Sequence, residues 1–222
     1  MRTEENDMTT IRLTAFRWVP PFAQGLVRDL RVRWALEEAR LAYNVRLLEQ
    51  GDQNKSEYRA LQPFGQVPIF EENGIVLFES GAIVLHIAER SEVLLPKDAA
   101  ARSRAVQWLI AALNSVEPAV WNVFVIDNLY PNEEWARLRR PSAVDFMNKK
   151  LDALAGRLGD QPFLDGAHFT AGDLMMATVL RFHWDTSQLD PRLVAYLQRC
   201  TSRPAFTRAL DAQLADFRKA AA

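Results

Sequence analysis

The chain has 222 residues, 49% of them hydrophobic, with 27 basic and 28 acidic side chains and a net charge of -1. That length fits one large domain or two smaller ones, and the balanced charge argues against a general nucleic-acid binder, which carries a basic excess. The single cysteine, Cys200, excludes an internal disulfide and points to a reducing, cytoplasmic compartment.

Residues 1–10 are polar, with Glu4, Glu5 and Asp7, and read as a flexible tail without the apolar core of a signal peptide. No uninterrupted apolar run approaches the ~18 residues of a membrane span, so a soluble protein without a membrane partner is expected. Ile11, Leu13 and Ala15 alternate with Arg12, Thr14 and Phe16, the period of a strand. Pro20-Pro21 ends it. From Gly25 to Arg40 the spacing of Leu26, Leu30, Trp34 and Leu41 predicts a helix, with Asp29–Arg33 and Arg33–Glu37 as i,i+4 pairs. Tyr43, Val45 and Leu47 then alternate again, which makes a βαβ unit with parallel strands.

The polar stretch from Gly51 to Leu61 reads as a loop with room for one helical turn. Val67–Phe70 and Ile75–Phe78 flank Asn73-Gly74, a strong hairpin signal. A helix from Ser80 to Arg90 completes a βαβ–ββα order, that of a thioredoxin-like domain. Beyond Leu94-Leu95-Pro96 only helical spacing appears. Helices are predicted over Ala99–Asn128, from a Ser142 cap through Leu158, and over Leu174–Arg181 behind a Thr170/Asp173 capping box. Two more follow, one through Leu193, Tyr196 and Leu197, and one opened by Pro204. The expected fold is an α/β thioredoxin-like N-terminal domain plus an all-α C-terminal bundle. Its parts are a tail over 1–10, the first domain over 11–92, a linker over 93–98 and the helical domain over 99–222.

Four segments, in order and at matching spacing, carry a resemblance along nearly the whole chain. They are Arg33-Trp34-Ala35-Leu36-Glu37-Glu38-Ala39, Pro63-Phe64-Gly65-Gln66-Val67-Pro68, Glu79-Ser80-Gly81-Ala82-Ile83 and Thr170-Ala171-Gly172-Asp173-Leu174. With them the chain resembles the cytosolic glutathione transferase family, in a bacterial form with an atypical active-site loop. The resemblance implies a glutathione site in the first domain, covered by the helical one. On its own, Val67-Pro68 reads as a trans proline opening an edge strand. In the family this bond is cis, and the backbone N–H and C=O of the preceding residue face outward, able to pair with an extended peptide as another strand would. Ser80 can cap a helix; the same hydroxyl, at a helix N-terminus, can receive the γ-glutamyl carboxylate while Glu79 takes the ammonium. Gln66 also faces the γ-glutamyl end, and position points to Gln53 or Lys55 for the glycyl carboxylate.

The departure lies at the first strand–helix junction, where most members carry a Tyr, Ser or Cys beside the glutathione sulfur. Here Trp18-Val19-Pro20-Pro21-Phe22-Ala23-Gln24-Gly25-Leu26-Val27-Arg28 contains no hydroxyl and no thiol, and Thr14 lies too early in the strand. Lowering a thiol from a pKa of ~8.5 by ~2 units takes about 2.7 kcal/mol. A helix terminus supplies ~0.3–1 kcal/mol, and a hydrogen bond to a charged group roughly 1.5–3. A donor is therefore required. The candidates are the Gln24 amide, placed slightly ahead, the Arg28 or Arg17 guanidinium, the Trp18 indole, and backbone N–H groups near Leu26 and Val27. Arg28 also reads as an ordinary solvated helix charge.

Trp108, Trp121, Phe124, Tyr130 and Trp135 cluster in the first helical stretch beyond the linker. Most fit core packing; Trp121 and Phe124 are the best candidates for a pocket that holds an apolar electrophile. Cys200 reads as a small core residue, and His86, His168 and His183 show no metal-ligand spacing, so no metal is expected. The expected function is conjugation of glutathione, as co-substrate, to small apolar electrophiles, or reduction of organic peroxides, in a detoxifying homodimer. The alternative is a non-catalytic binder of glutathione or an apolar ligand on the same fold.

Overall fold

The computed structural model describes residues 11–183 and 188–221, with the backbone alone at 219–221. The expected N-terminal tail lies outside the described residues. Strands β1 (Ile11–Phe16), β2 (Tyr43–Leu48), β3 (Phe70–Glu72) and β4 (Ile75–Leu77) form one sheet in the order β2-β1-β3-β4. β1 and β2 are parallel, with Leu13 opposite Val45, and β3 runs antiparallel to both β1 and β4. The hairpin turn behaves as its sequence requires: Asn73 and Gly74 both take positive φ, 52° and 78°. The first strand of that hairpin is shorter than expected and begins at Phe70, and Val67–Pro68, a cis bond, lies in the loop ahead of it.

Helix α1 spans Asp29–Ala39, four residues later than its apolar spacing suggests. A 3-10 turn at Pro21–Ala23 and a run of turns through Arg28 occupy the difference. α2 (Ser56–Leu61) fills the expected loop, and α3 (Ser80–Ala88) closes the first domain. α1 is covered on every side, by the sheet and by α3, α7 (Ala171–Leu180) and α9 (Pro204–Ala221). Its core residue, Trp34, sits with its ring 4.8 Å from Phe206 and 5.6 Å from Phe169. Burial redirects the expected surface charge pairs. Asp29–Arg33 is a buried bridge of 2.8 Å that extends to Asp216 of α9, while Glu37 pairs with Arg208 of α9 instead of Arg33.

In the second domain, α4 (Ala99–Ala111) and α5 (Glu117–Asn128) form one 30-residue rod joined by a π turn, Ala112–Val116. Pro118 has no N–H to give back to the preceding turn, and the wider turn absorbs the break. By length and composition this rod could cross a membrane; half of its most apolar window is buried in the protein, where Leu109, Val116, Val120 and Phe124 are core. The expected start of α6 at Ser142 is wrong. α6 runs Glu134–Leu158, with Pro141 and Ser142 inside it on the exposed face. Buried Ala136 and Ala143 hold the helix on both sides of the proline, and the Ser142 hydroxyl donates to the Arg139 carbonyl at 3.0 Å. α7 carries the expected box: Thr170 Oγ1 accepts from the Gly172 N–H at 3.2 Å, and the Asp173 carboxylate from the Thr170 N–H at 2.9 Å. α8 (Pro191–Thr201) and α9 complete the bundle.

Candidate active site

A cavity of about 390 Å³ lies where the turns of residues 20–28 and the cis-proline loop of the first domain face α5 and Phe182 of the second. The loop side contributes Phe22, Leu26, Val27 and Arg28; the cis-proline side contributes Gln66 and Val67. Trp121 and Phe124 form the opposite wall, stacked at 5.1 Å and 17°. Phe182 meets both rings edge-on at 5.1 Å. The lining is mostly apolar, with Phe16 and Phe22 adding aromatic rings on the loop side, and the charged group in it is Arg28, 4.9 Å from the Trp121 ring centroid.

No hydrogen bond among the described residues engages the N–H or C=O of Val67, whereas the neighbouring Gln66 carbonyl accepts from the Tyr58 hydroxyl at 2.6 Å. Pro68 is buried behind them. Glu79 caps α3 with φ 68° and ψ 112°, a region non-glycine residues rarely adopt and one associated with ligand-contacting positions. Ser80 makes no capping bond. Instead its hydroxyl, 5% exposed, accepts from Nη1 of Arg31 at 3.2 Å, which leaves the O–H proton available to another acceptor.

Arg31 was not singled out in the sequence, and neither was its partner Glu117. Glu117 follows the π turn that starts α5. Its Oε1 is 3.0 Å from Nη2 of Arg31, an ion contact without hydrogen-bond alignment. The same oxygen accepts from Arg28 at 2.7 and 3.1 Å. Burial opposes ionisation of Glu117, but Arg31 and then Arg28 outweigh it and hold the carboxyl below its ordinary value. Burial in turn pulls Arg31 down, against the pull of Glu117 and the weaker one of Glu79. One carboxylate thus links the hydroxyl end of the site to the aromatic cavity.

The other candidate donors sit elsewhere. The Gln24 amide gives a 3.2 Å bond to the Val19 carbonyl, Arg17 pairs with Glu49, and Trp18 is exposed. None of the three lines the cavity. The Leu26 N–H goes to the Ala23 carbonyl at 3.0 Å, but the Val27 and Arg28 N–H groups have no acceptor among the described residues. Gln53 and Lys55 also lie off the cavity wall; Gln53 Oε1 accepts from Gly51, and Lys55 is 2.7 Å from Asp52. Thr14 is buried in mid-strand. Cys200 is buried and its thiol is pushed up by that burial and by Asp173. His86 stands 3.9 Å from Glu72 and edge-on to Phe70, and no metal-binding cluster occurs among the described residues. A wider groove of about 650 Å³ beside Pro96 and Phe163 has its cations neutralised, Arg104 by Asp165 and Arg203 by Glu38.

Residues 23–89 match the family model of the glutathione S-transferase N-terminal domain, and residues 139–199 that of the C-terminal domain. Together the two models cover more than half of the chain, and the chain belongs to the glutathione transferase family. It is 28% identical over 177 residues to a glutathione S-transferase of Hyoscyamus muticus, covering 74% of this chain and 82% of that one. It is 27% identical over 200 residues to the glutathione S-transferase GstA of Escherichia coli O157:H7, covering 87% and 96%. The fold superposes on a crystal structure of a Pseudomonas fluorescens family member with two glutathione bound, at a TM-score of 0.78 and 23% identity, over 90% of this chain and 92% of that one.

Proposed function

We propose that this chain conjugates glutathione to small apolar electrophiles, with residues 11–92 binding the tripeptide and the helical domain from residue 99 on, joined by a linker over 93–98, supplying the second substrate's pocket. One observation carries the reading: the Ser80 hydroxyl at the α3 N-terminus is tied by Arg31 and Glu117 to Arg28 in the wall of an aromatic cavity. The γ-glutamyl carboxylate receives the Ser80 O–H and the free N–H groups of the α3 N-terminus. Glu79 takes its ammonium, with Gln66 beside it. Val67 pairs its free backbone groups with the cysteinyl unit. For the glycyl carboxylate, Gln53 has an amide NH2 to donate, whereas Asp52 already neutralises Lys55.

That arrangement directs the sulfur toward Val27 and Arg28. The free N–H groups of these two residues and the Arg28 guanidinium are donors to a thiolate, in reach of the roughly 2.7 kcal/mol that a two-unit depression takes. Arg28 therefore ranks ahead of Gln24 and Trp18. The thiol proton leaves to solvent. The thiolate then forms a C–S bond to the electrophile stacked between Trp121 and the loop, and the leaving group departs with the electron pair. With a peroxide, the thiolate attacks the O–O bond to give an alcohol and a sulfenic acid, which a second glutathione converts to disulfide and water. The family and the absence of a disulfide support a cytoplasmic, detoxifying homodimer. A second reading, a binding protein without turnover, is favoured by one feature: Glu117 already engages the Arg28 guanidinium.

Titration calorimetry with glutathione tests the site. Ser80→Ala is expected to weaken binding by about 1–3 kcal/mol, the range for a lost bond to a charged group. Equal affinity in the variant would remove Ser80 from the site. Ultraviolet titration of the bound thiol then separates the two readings, since an undepressed pKa leaves only the binding protein.

A further inference from the structure

Arg181, at the C-terminus of α7, has no carboxylate within ion-pair reach among the described residues. Arg181 is half-buried, and that burial pulls its guanidinium down to about 10. Its Nη1 donates to the carbonyl of Gly25 at 2.6 Å, 156 positions away in the chain, and its guanidinium carbon lies 5.0 Å from the Phe206 ring centroid. Gly25 takes φ +79°, and a Cβ there would stand 3.1 Å from Leu210 and 3.5 Å from Nη2 of Arg181. Two residues on, the Val27 carbonyl accepts from Gln213 of α9 at 3.2 Å. The helical domain therefore grips alternate carbonyls of the turns that precede α1. At and just beyond these anchor points stand Val27 and Arg28, the cavity residues whose N–H and guanidinium groups are the proposed sulfur donors.

We propose that Arg181 is a positioning residue for thiolate formation, which holds the Gly25 peptide so that the Val27–Arg28 donors meet the sulfur. Glycine at this φ is free to turn its peptide either way, and a charged bond of 2.6 Å selects one orientation. The proposal rests on the reading that the glutathione sulfur lies in this cavity.

The test is ultraviolet titration of the bound thiol, with calorimetric affinity and thermal midpoint measured on the same proteins: wild type, Arg181→Met, Arg181→Lys and Gly25→Ala. Arg181→Met is expected to raise the thiol pKa by about one unit, a tenfold loss of thiolate below it. Glutathione affinity for the protonated thiol should change less than about threefold. Arg181→Lys, which keeps one charged donor, should recover at least half of the shift. Gly25→Ala, with Arg181 intact and the loop strained, should shift the pKa in the same direction, and it carries the test if Arg181→Met does not fold. A lower thermal midpoint with an unmoved thiol pKa in these variants overturns the proposal and leaves Arg181 a packing residue. Absence of glutathione binding, or an undepressed thiol pKa, in wild type overturns the site reading itself, and the proposal with it.

Discussion

Glu117 is the residue on which the site's electrostatics turn. Its side chain is 8% exposed and faces two guanidiniums, one buried and one a third exposed. Replacing it by glutamine keeps the shape and strands both cations, for which the expected loss is about 3 kcal/mol, at the low end for a broken buried pair because Arg28 is partly screened by water. The pH dependence has a definite sign. The folded carboxyl lies below its ordinary 4.5, so the stability it contributes is present above about pH 4.5 and is lost as pH falls through the folded value. Thermal unfolding of wild type and Glu117→Gln should therefore show a gap at pH 7 that narrows below pH 4.5, and a gap of constant size would sink the assignment. The sequence contained a hint of this cluster. Asp29 and Arg33 share one side of a helix and Arg31 projects from the other, while Leu30 and Trp34 are buried too, so the three charges cannot all face water. Glu117, alone in an apolar stretch beside Pro118, is the matching signal. The cis Val67–Pro68 bond and the start of α3 at Ser80 were legible, the first through the family resemblance alone, since the residues by themselves favour a trans proline. The identity of the sulfur donor was not, because it depends on which side of the 24–28 turns faces a helix nearly 90 residues further along the chain.

At the scale of elements, α7 is the piece whose sequence says most about its structure. Its N-terminus is locked by Asp173, whose carboxylate accepts from the N–H groups of Leu164 and Thr170 at 2.9 Å and from the hydroxyl of Tyr196 at 3.1 Å. Next to it, Gly172 lets α4 approach so closely that a Cβ would stand 2.5 Å from Trp108 Cβ and 3.1 Å from the Ala105 carbonyl. Asp173→Ala would leave two buried N–H groups and the Thr170 hydroxyl without this acceptor, and Tyr196 with the 3.4 Å bond to the residue 173 carbonyl, an expected loss of about 3–5 kcal/mol. The urea midpoint measures it, and a midpoint within error of wild type would show that the box is dispensable. Helix ends with such side-chain signatures were readable in advance, as were the Asn-Gly hairpin and the period-2 strands. The start of α1 and the start of α6 were not. Pro20-Pro21 and Pro141 each suggest a boundary, but packing moved one onset later and carried the other helix through its proline, an override by tertiary contacts that no local rule encodes.

For the molecule as a whole, α1 joins the two domains: its inner faces meet the sheet and α3, and its outer faces meet α7 and α9. The main core runs from the sheet through the helices of the second domain, and other apolar side chains remain on the outside. Two sets of them contain paired aromatic rings. Phe64, 61% exposed, meets the exposed Phe78 edge-on at 6.1 Å on the first domain, near Ile75 and Val76. Tyr130 and Trp135, rings 5.2 Å apart, stand with Leu138 and Phe146 on the second. A two-fold dimer that sets the first domain of one copy against the second domain of its partner would cover both sets twice, since an isologous contact repeats each patch under the symmetry axis. Exposed aromatic pairs of this kind are what such an interface buries and what a free monomer rarely displays together. Light scattering at micromolar concentration is expected to give twice the chain mass, and Phe64→Asp to give the single chain mass with its far-ultraviolet circular dichroism unchanged. A wild-type monomer would remove the homodimer. A variant that stays dimeric would move the interface away from the Phe64 face, leaving the aromatic pairs to another partner.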